Sequence, residues 1–183
     1  TCLYGNEKVT VKTPVIGAHQ IYTILLAVNA AMAAGMTFKE AANAACGIQP
    51  NPKSLSILPG INGSIFINDT FNNSPDSAKA ALDVLRWGKR KRFLVFQPMI
   101  ELGGYAAESH ASVGAYAANV CDQIILTNRN FYEAFMEGVS DSVRVSVLAP
   151  DKAAMLLKAK LGKGDAVLFK GKEAAHVLDA LCK

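Results

Sequence analysis

No phosphate-wrapping glycine loop occurs in this sequence. Gly162-Lys163-Gly164 and Lys170-Gly171-Lys172 lack the G-x-x-x-x-G-K-[ST] spacing, whose backbone N–H groups would encircle phosphates. No G-x-G-x-x-G follows a strand, so a dinucleotide reading has only architecture behind it. The four cysteines, Cys2, Cys46, Cys121 and Cys182, form no CxxC pair; this argues against a zinc site or a disulfide framework and for reduced thiols. No cluster of His, Cys and carboxylates suggests a metal site, and no Ser-His-Asp arrangement stands out. The longest apolar stretch, Ile21 to Met36, is interrupted by Tyr22, Thr23 and Asn29 and is short for a membrane span. No basic leader opens the chain, so no signal peptide is expected, and the chain reads as a piece of something longer.

What is present is enough for a full core. The 183 residues are 51% apolar with mean hydropathy +0.20, which suits one domain plus part of another. The formal charge of +4 is concentrated in Lys89-Arg90-Lys91-Arg92. That run sits between a helix and a strand and lacks interleaved aromatics, so it reads as a solvated turn; no nucleic-acid partner is expected.

Glu7 to Lys12 alternates with period two and reads as a strand ended by Thr13-Pro14. A helix from Gly17 carries Ile21, Ile24, Leu25, Val28, Ala31 and Met32 on one stripe, and Gly35 stops it. Thr37 with Glu40 predicts a capping box for a second helix, closed by Gly47. Pro50 and Pro52 forbid a helix and mark a domain boundary. Beyond it, 55–58 and 64–67 flank Pro59-Gly60-Ile61-Asn62-Gly63 as a hairpin. Strands at 93–96, 123–126, 143–147 and 166–169 then alternate with helices at 75–87, 106–119, 130–137, 151–161 and 172–181. That alternation predicts an α/β fold: a Rossmann-like, mainly parallel sheet with helices on both faces, opened by a β-hairpin.

Ligands of such sheets bind outside the carboxyl ends of the strands. The residues there are Asn68, Asp69, Asn72 and Asn73, then Glu101 and His110, then Asn128 and Arg129, and finally Lys170 and Lys172. Asp69 suits sugar hydroxyls and the lysines suit a carboxylate or phosphate. Asp and Asn at these places serve equally well as turn and helix-cap residues. His19 stands beside Gly17 at a helix start, where a nucleotide can approach or where the ring is simply structural.

Four landmarks in order resemble the Mur ligases, and among them the branch that adds D-alanyl-D-alanine. The G-x-H-N-x-x-N helix start appears as Gly17-Ala18-His19-Gln20-Ile21-Tyr22-Thr23. The I-D-D-S-Y-N-A-N-P-D-S-M-K-A-A-L segment appears as Ile67-Asn68-Asp69-Thr70-Phe71-Asn72-Asn73-Ser74-Pro75-Asp76-Ser77-Ala78-Lys79-Ala80-Ala81-Leu82. G-D-M-L-E-L-G appears as Gln97-Pro98-Met99-Ile100-Glu101-Leu102-Gly103, followed by His110 and Val113-Gly114. V-K-G-S appears as Phe169-Lys170-Gly171-Lys172.

The resemblance implies that residues 1–49 are a strand–helix–helix end of the ATP-binding central domain and residues 50–183 the C-terminal domain. It implies a cytoplasmic, monomeric, ATP-dependent amide ligase of peptidoglycan precursor synthesis, with no membrane partner. Such a ligase joins D-alanyl-D-alanine to UDP-N-acetylmuramoyl-tripeptide through an acyl phosphate. ATP and Mg2+ would be held mainly by an upstream domain, and this part alone would be inactive. By matching position, Asp69 would contact the ATP ribose, His19 and Thr23 would lie near its adenine, and Asn68 would belong to the same ATP-binding set. Asn72, Asn73, Glu101, His110 and Lys170 would line the substrate side. No catalytic residue is assigned here.

The sequence departs from the pattern at Gln20 and Thr23, which replace two asparagines. Lys53-Ser54 replaces Gly-Arg and loses the planar fork of an arginine, and Gln97-Pro98 replaces Gly-Asp. The alternatives are a non-catalytic α/β binding module derived from such a ligase, or a ligase of the folylpolyglutamate or cyanophycin synthetase type.

Overall fold

The computed structural model describes residues 1–140 and 143–182 and divides the chain into two compact units, Thr1–Asn51 and Pro52–Lys183. In the first unit, β1 (Cys2–Tyr4) and β2 (Glu7–Val9) form a short antiparallel hairpin through Gly5. The expected strand to Lys12 stops at Val9, and β1 was not anticipated: three residues are too few to display a period. Helix α1 (Gln20–Ala33) begins three residues later than Gly17. Gly35 adopts a left-handed φ of 103° just past its end. Helix α2 (Phe38–Ala44) carries the expected capping box, with the Thr37 hydroxyl accepting from Glu40 N and the Glu40 carboxylate accepting from Thr37 N. Cys2, Val9, Val28, Phe38, Ala41, Ala42 and Ala45 form this unit's core. Of the apolar stripe on α1, Ile21 and Leu25 stay exposed, as do Tyr22 and Leu26 beside it.

The second unit is built on a six-stranded sheet of order β3-β4-β8-β5-β6-β7. Its strands are β3 (Ser56–Pro59), β4 (Ile65–Asp69), β5 (Arg92–Phe96), β6 (Gln123–Leu126), β7 (Arg144–Val147) and β8 (Ala166–Lys170). All pairs are parallel except the β3–β4 hairpin at the edge, as the alternating sequence requires. The helices are α3 (Pro75–Leu85), α4 (Ala106–Ala118), α5 (Tyr132–Glu137), α6 (Pro150–Lys160) and α7 (Lys172–Leu181). Phe93, Val95, Phe66, Val167 and Phe169 point to one face and pack with Ala153, Leu157, Val177 and Leu178 of α6 and α7. Leu94 and Phe96 alternate to the other face, where Phe96 meets Phe135 of α5 at 5.6 Å. Central strands buried on both faces explain the unbroken apolar runs at β5, β6 and β8.

Two boundaries shift for local reasons. Helix α3 ends at Leu85 rather than Trp87, and α5 starts at Tyr132 rather than Asn130. Asn130 N instead donates to Asn128 Oδ1 in an Asx turn, and Phe131 takes a left-handed φ of 53°.

Candidate functional site

Parallel strands β4, β8, β5 and β6 end side by side, and each end is followed by polar residues. Register sets which ones meet: Asp69 pairs with Lys170 and Phe96 pairs with Lys170 from the other side. Lys170 Nζ donates to Asp69 Oδ2 at 2.6 Å and to the Asn72 carbonyl at 3.1 Å. Asp69 Oδ1 accepts from Leu55 N at 3.1 Å. Lys170 is 1% exposed and Asp69 9%. Burial pushes the Lys170 ammonium down from the ordinary lysine range, and the Asp69 carboxylate pulls it partly back. The pair ties the ends of β4 and β8 together with the turn that follows β4.

Asn68 is similarly engaged: its Nδ2 donates to Pro52 O at 3.0 Å and its Oδ1 accepts from Thr70 Oγ1 at 2.7 Å. Asn73 Nδ2 donates to Gln97 O at 2.7 Å, while Asn73 Oδ1 is a buried acceptor without a partner. Ser74 and Ser77 form a capping box and Pro75 occupies the first turn of α3, where its missing N–H would have no intrahelical partner. Gln97 Oε1 accepts from Glu173 N at 2.8 Å. The Glu173 carboxylate in turn accepts from Thr127 Oγ1 at 2.6 Å and Asn128 Nδ2 at 2.8 Å. A continuous polar seam therefore links the ends of β4, β5, β6 and β8.

Outside the seam lies an open cleft lined by Lys53, Thr70, Phe71, Asn72, Glu101, Lys172 and Ala175. Phe71 is 58% exposed, and Glu101 holds a left-handed φ of 64°. Leu55, Glu101 and Phe131 are three of the four non-glycine residues with positive φ among the described residues, the fourth being Asn62. All three flank this end of the sheet. Such strain persists where the surroundings enforce it, commonly at sites of function.

The sequence-derived site residues thus separate into two groups. Asn72 and Glu101 line the cleft, and Asn73 supports it from the half-buried turn behind. Asp69, Asn68 and Lys170 are buried beside one another and hydrogen-bonded within the chain. His110 is enclosed more deeply still. It is fully buried in α4; its Nε2 accepts from Met99 N at 2.9 Å, so Nδ1 carries the proton and donates to Ala106 O at 2.6 Å. Its ring stacks on Phe131 at 4.5 Å. Burial holds His110 below the ordinary histidine value, against the pull of the Ala106 carbonyl. It ties the Met99 loop to α4.

His19 and Thr23 are exposed, one just before α1 and one in its first turn. Sequence reasoning missed Phe71 as a cleft wall and Glu173 and Thr127 as members of the seam. An exposed aromatic directly after a strand-end Asp-Thr was the available signal for the first; nothing local signals the others. Among the described residues no group of three or more His, Cys, Asp or Glu is placed to hold a metal ion.

The architecture is that of a doubly wound α/β domain, with its polar seam and cleft at the strand ends where ligands of such sheets bind. Residues 55–173 match the family described as Mur ligase, glutamate ligase domain, and the chain belongs to that family. It is 29% identical to the UDP-N-acetylmuramoyl-tripeptide--D-alanyl-D-alanine ligase of Mycobacterium tuberculosis, over 96% of this chain and 40% of that protein. Against the Bacillus subtilis enzyme of the same name the identity is 28%, over 86% of this chain and 36% of that one. The chain thus spans about 40% of the length of the curated relatives it matches. Its fold matches MurF from Thermotoga maritima in complex with ADP, with a TM-score of 0.74 at 23% identity over 91% of this chain and 38% of that one. MurF from Acinetobacter baumannii gives 0.78 at 23% identity over 94% and 39%.

Proposed function

We propose that this chain is the C-terminal part of an ATP-dependent ligase that joins D-alanyl-D-alanine to UDP-N-acetylmuramoyl-tripeptide. On this reading residues 1–49 end the central domain and 50–183 form the C-terminal one. The observation that carries it is the charge pattern of the strand-end cleft, where Lys53 and Lys172 stand with Glu101 around Asn72. Two ammoniums and one carboxylate suit a zwitterionic dipeptide: the cations take its carboxylate, and Glu101 draws its amine, which must lose a proton before it can attack. The named relatives, aligned over nearly all of this chain, support the same substrate pair.

ATP, with Mg2+, would supply the phosphoryl group that activates the donor carboxylate. The residues fit a nucleotide only in part. Asp69 is committed to Lys170 and Leu55, whereas within the first unit His19 and Thr23 are exposed. The apolar surface left open on α1 by Ile21, Tyr22, Leu25 and Leu26 supports a first unit that belongs to a larger domain.

The test is phosphate release by the intact protein with ATP, Mg2+, the muramoyl tripeptide and D-alanyl-D-alanine. Lys172→Glu is expected to raise the dipeptide KM about tenfold, with kcat less affected, because it removes binding shared by ground and transition states. Unchanged kinetics in that variant, or turnover with a different amine only, overturns the assignment.

A further inference from the structure

The opposite end of the same sheet holds a second, chemically different site. The β3–β4 register pairs Ile57 with Ile67 and Pro59 with Ile65, which sets Ile57, Ile65 and Ile67 on the face away from α6 and α7. Ala166, at the start of β8 beside Ile65, continues that floor. Helix α3 should cover it but ends at Leu85, so only Val84 and the following Trp87 form a wall. Gly88, Gly164 and Ala166 are too small to fill the corner. The result is an apolar pocket of about 160 Å3 lined by Ile57, Ile65, Ile67, Val84, Trp87 and Ala166, with Lys89 at its mouth.

Three large apolar side chains are left wet around it: Trp87 is 63% exposed, Ile57 53% and Ile65 41%. A concave apolar patch of this kind on a soluble domain marks a binding surface. Its size sets the occupant, because a dry cavity of about 150 Å3 holds one benzene-sized ring. A helix would need a groove with anchors at successive turns.

The rim sets the charge. Lys89 and Arg90 are both exposed, and the Arg90 methylenes lie against Gly164. Neither forms an ion pair among the described residues. The carboxylate next to Gly164 is turned away from the mouth: Asp165 is buried, its Oδ1 accepting from Lys91 N and its Oδ2 from Gly162 N. We propose that this pocket binds a small aryl or short acyl anion, its ring or chain on the isoleucine floor beneath Trp87 and its carboxylate between Lys89 and Arg90. The site is independent of the ligase reading.

Trp87 is the single tryptophan of the chain, so its emission reports occupancy directly. The test titrates 3-phenylpropionate into the full chain carrying 13C-labelled isoleucine methyls. Saturable binding is expected, with methyl shifts confined to Ile57, Ile65 and Ile67 and a blue shift of Trp87. The neutral amide of the same ligand should bind about fivefold more weakly at low salt, a gap that closes at about 1 M salt where charges are screened. The double variant Lys89→Glu/Arg90→Glu, on exposed side chains, should erase the preference for the acid while still binding the amide. Ile57→Ser should weaken both ligands.

Several results would overturn the proposal. One is shifts that do not saturate by about 10 mM ligand, a range too weak for a formed site. Another is an amide that binds as tightly as the acid. Concentration-dependent dimerisation moving the same methyls would make the patch a self-association surface, and capture by anionic lipid vesicles through Trp87 would make it a membrane contact.

Discussion

Lys170 is as deeply buried as a core phenylalanine yet ends in an ammonium, and its partner stands 101 residues away in the chain. Removing one member of such a pair leaves an uncompensated charge, which costs about 3–5 kcal/mol. Lys170→Met should therefore lower unfolding free energy by roughly that amount, while Lys170→Met/Asp69→Leu should recover most of it. Chemical denaturation of the two variants checks this; a single variant near wild-type stability would mean the pair is not buried in solution. His110 gives a pH prediction. Its native pKa is depressed below the ordinary 6.5, so the unfolded chain binds the proton first. Its contribution is whole above that value and is lost as pH falls below it toward the depressed native value. Stability should thus decline below about pH 6.5, and His110→Gln should flatten the decline while lowering stability at pH 7; an unchanged slope in the variant counts against it. Neither role was legible in the sequence. Asp69 and His110 were visible as candidates, but their burial depends on register and on α4 packing, which no local pattern reports.

At the scale of elements, the sequence was far more informative. The strand over 123–126 and the helix over 172–181 sit where periodicity put them, because central strands and amphipathic helices write their burial into their side chains. Strand β1 and the late start of α5 escaped, since so short a first strand and an Asx turn carry no period. One packing detail was equally hidden. Helices α4 and α5 approach through glycines: a Cβ on Gly114 would lie 2.2 Å from Phe135 O, and one on Gly138 2.0 Å from Ala111 O. Real contacts cannot be that short, so Gly114→Ala should force the helices apart and cost about 1–3 kcal/mol. A thermal melt of the variant at pH 7 checks this, and an unaltered midpoint would show that α5 yields without cost.

At the scale of the molecule, the second unit has its own sheet, two helical layers and a continuous core, which is what an independent folding unit needs. Pro52–Lys183 produced alone should unfold in one cooperative transition, with hydrogen-exchange protection greatest at β5 and β8. Early exchange throughout β8 would contradict this. The strand order has a consequence for biosynthesis. β8 is made after all other strands, yet it lies between β4 and β5. A ribosome that has released everything up to β7 has delivered two sheet fragments with facing raw edges and the keystone still in its tunnel. Those edges invite pairing between nascent chains on the same messenger, so the codons that encode β8 decide whether a polysome yields soluble protein or tangles.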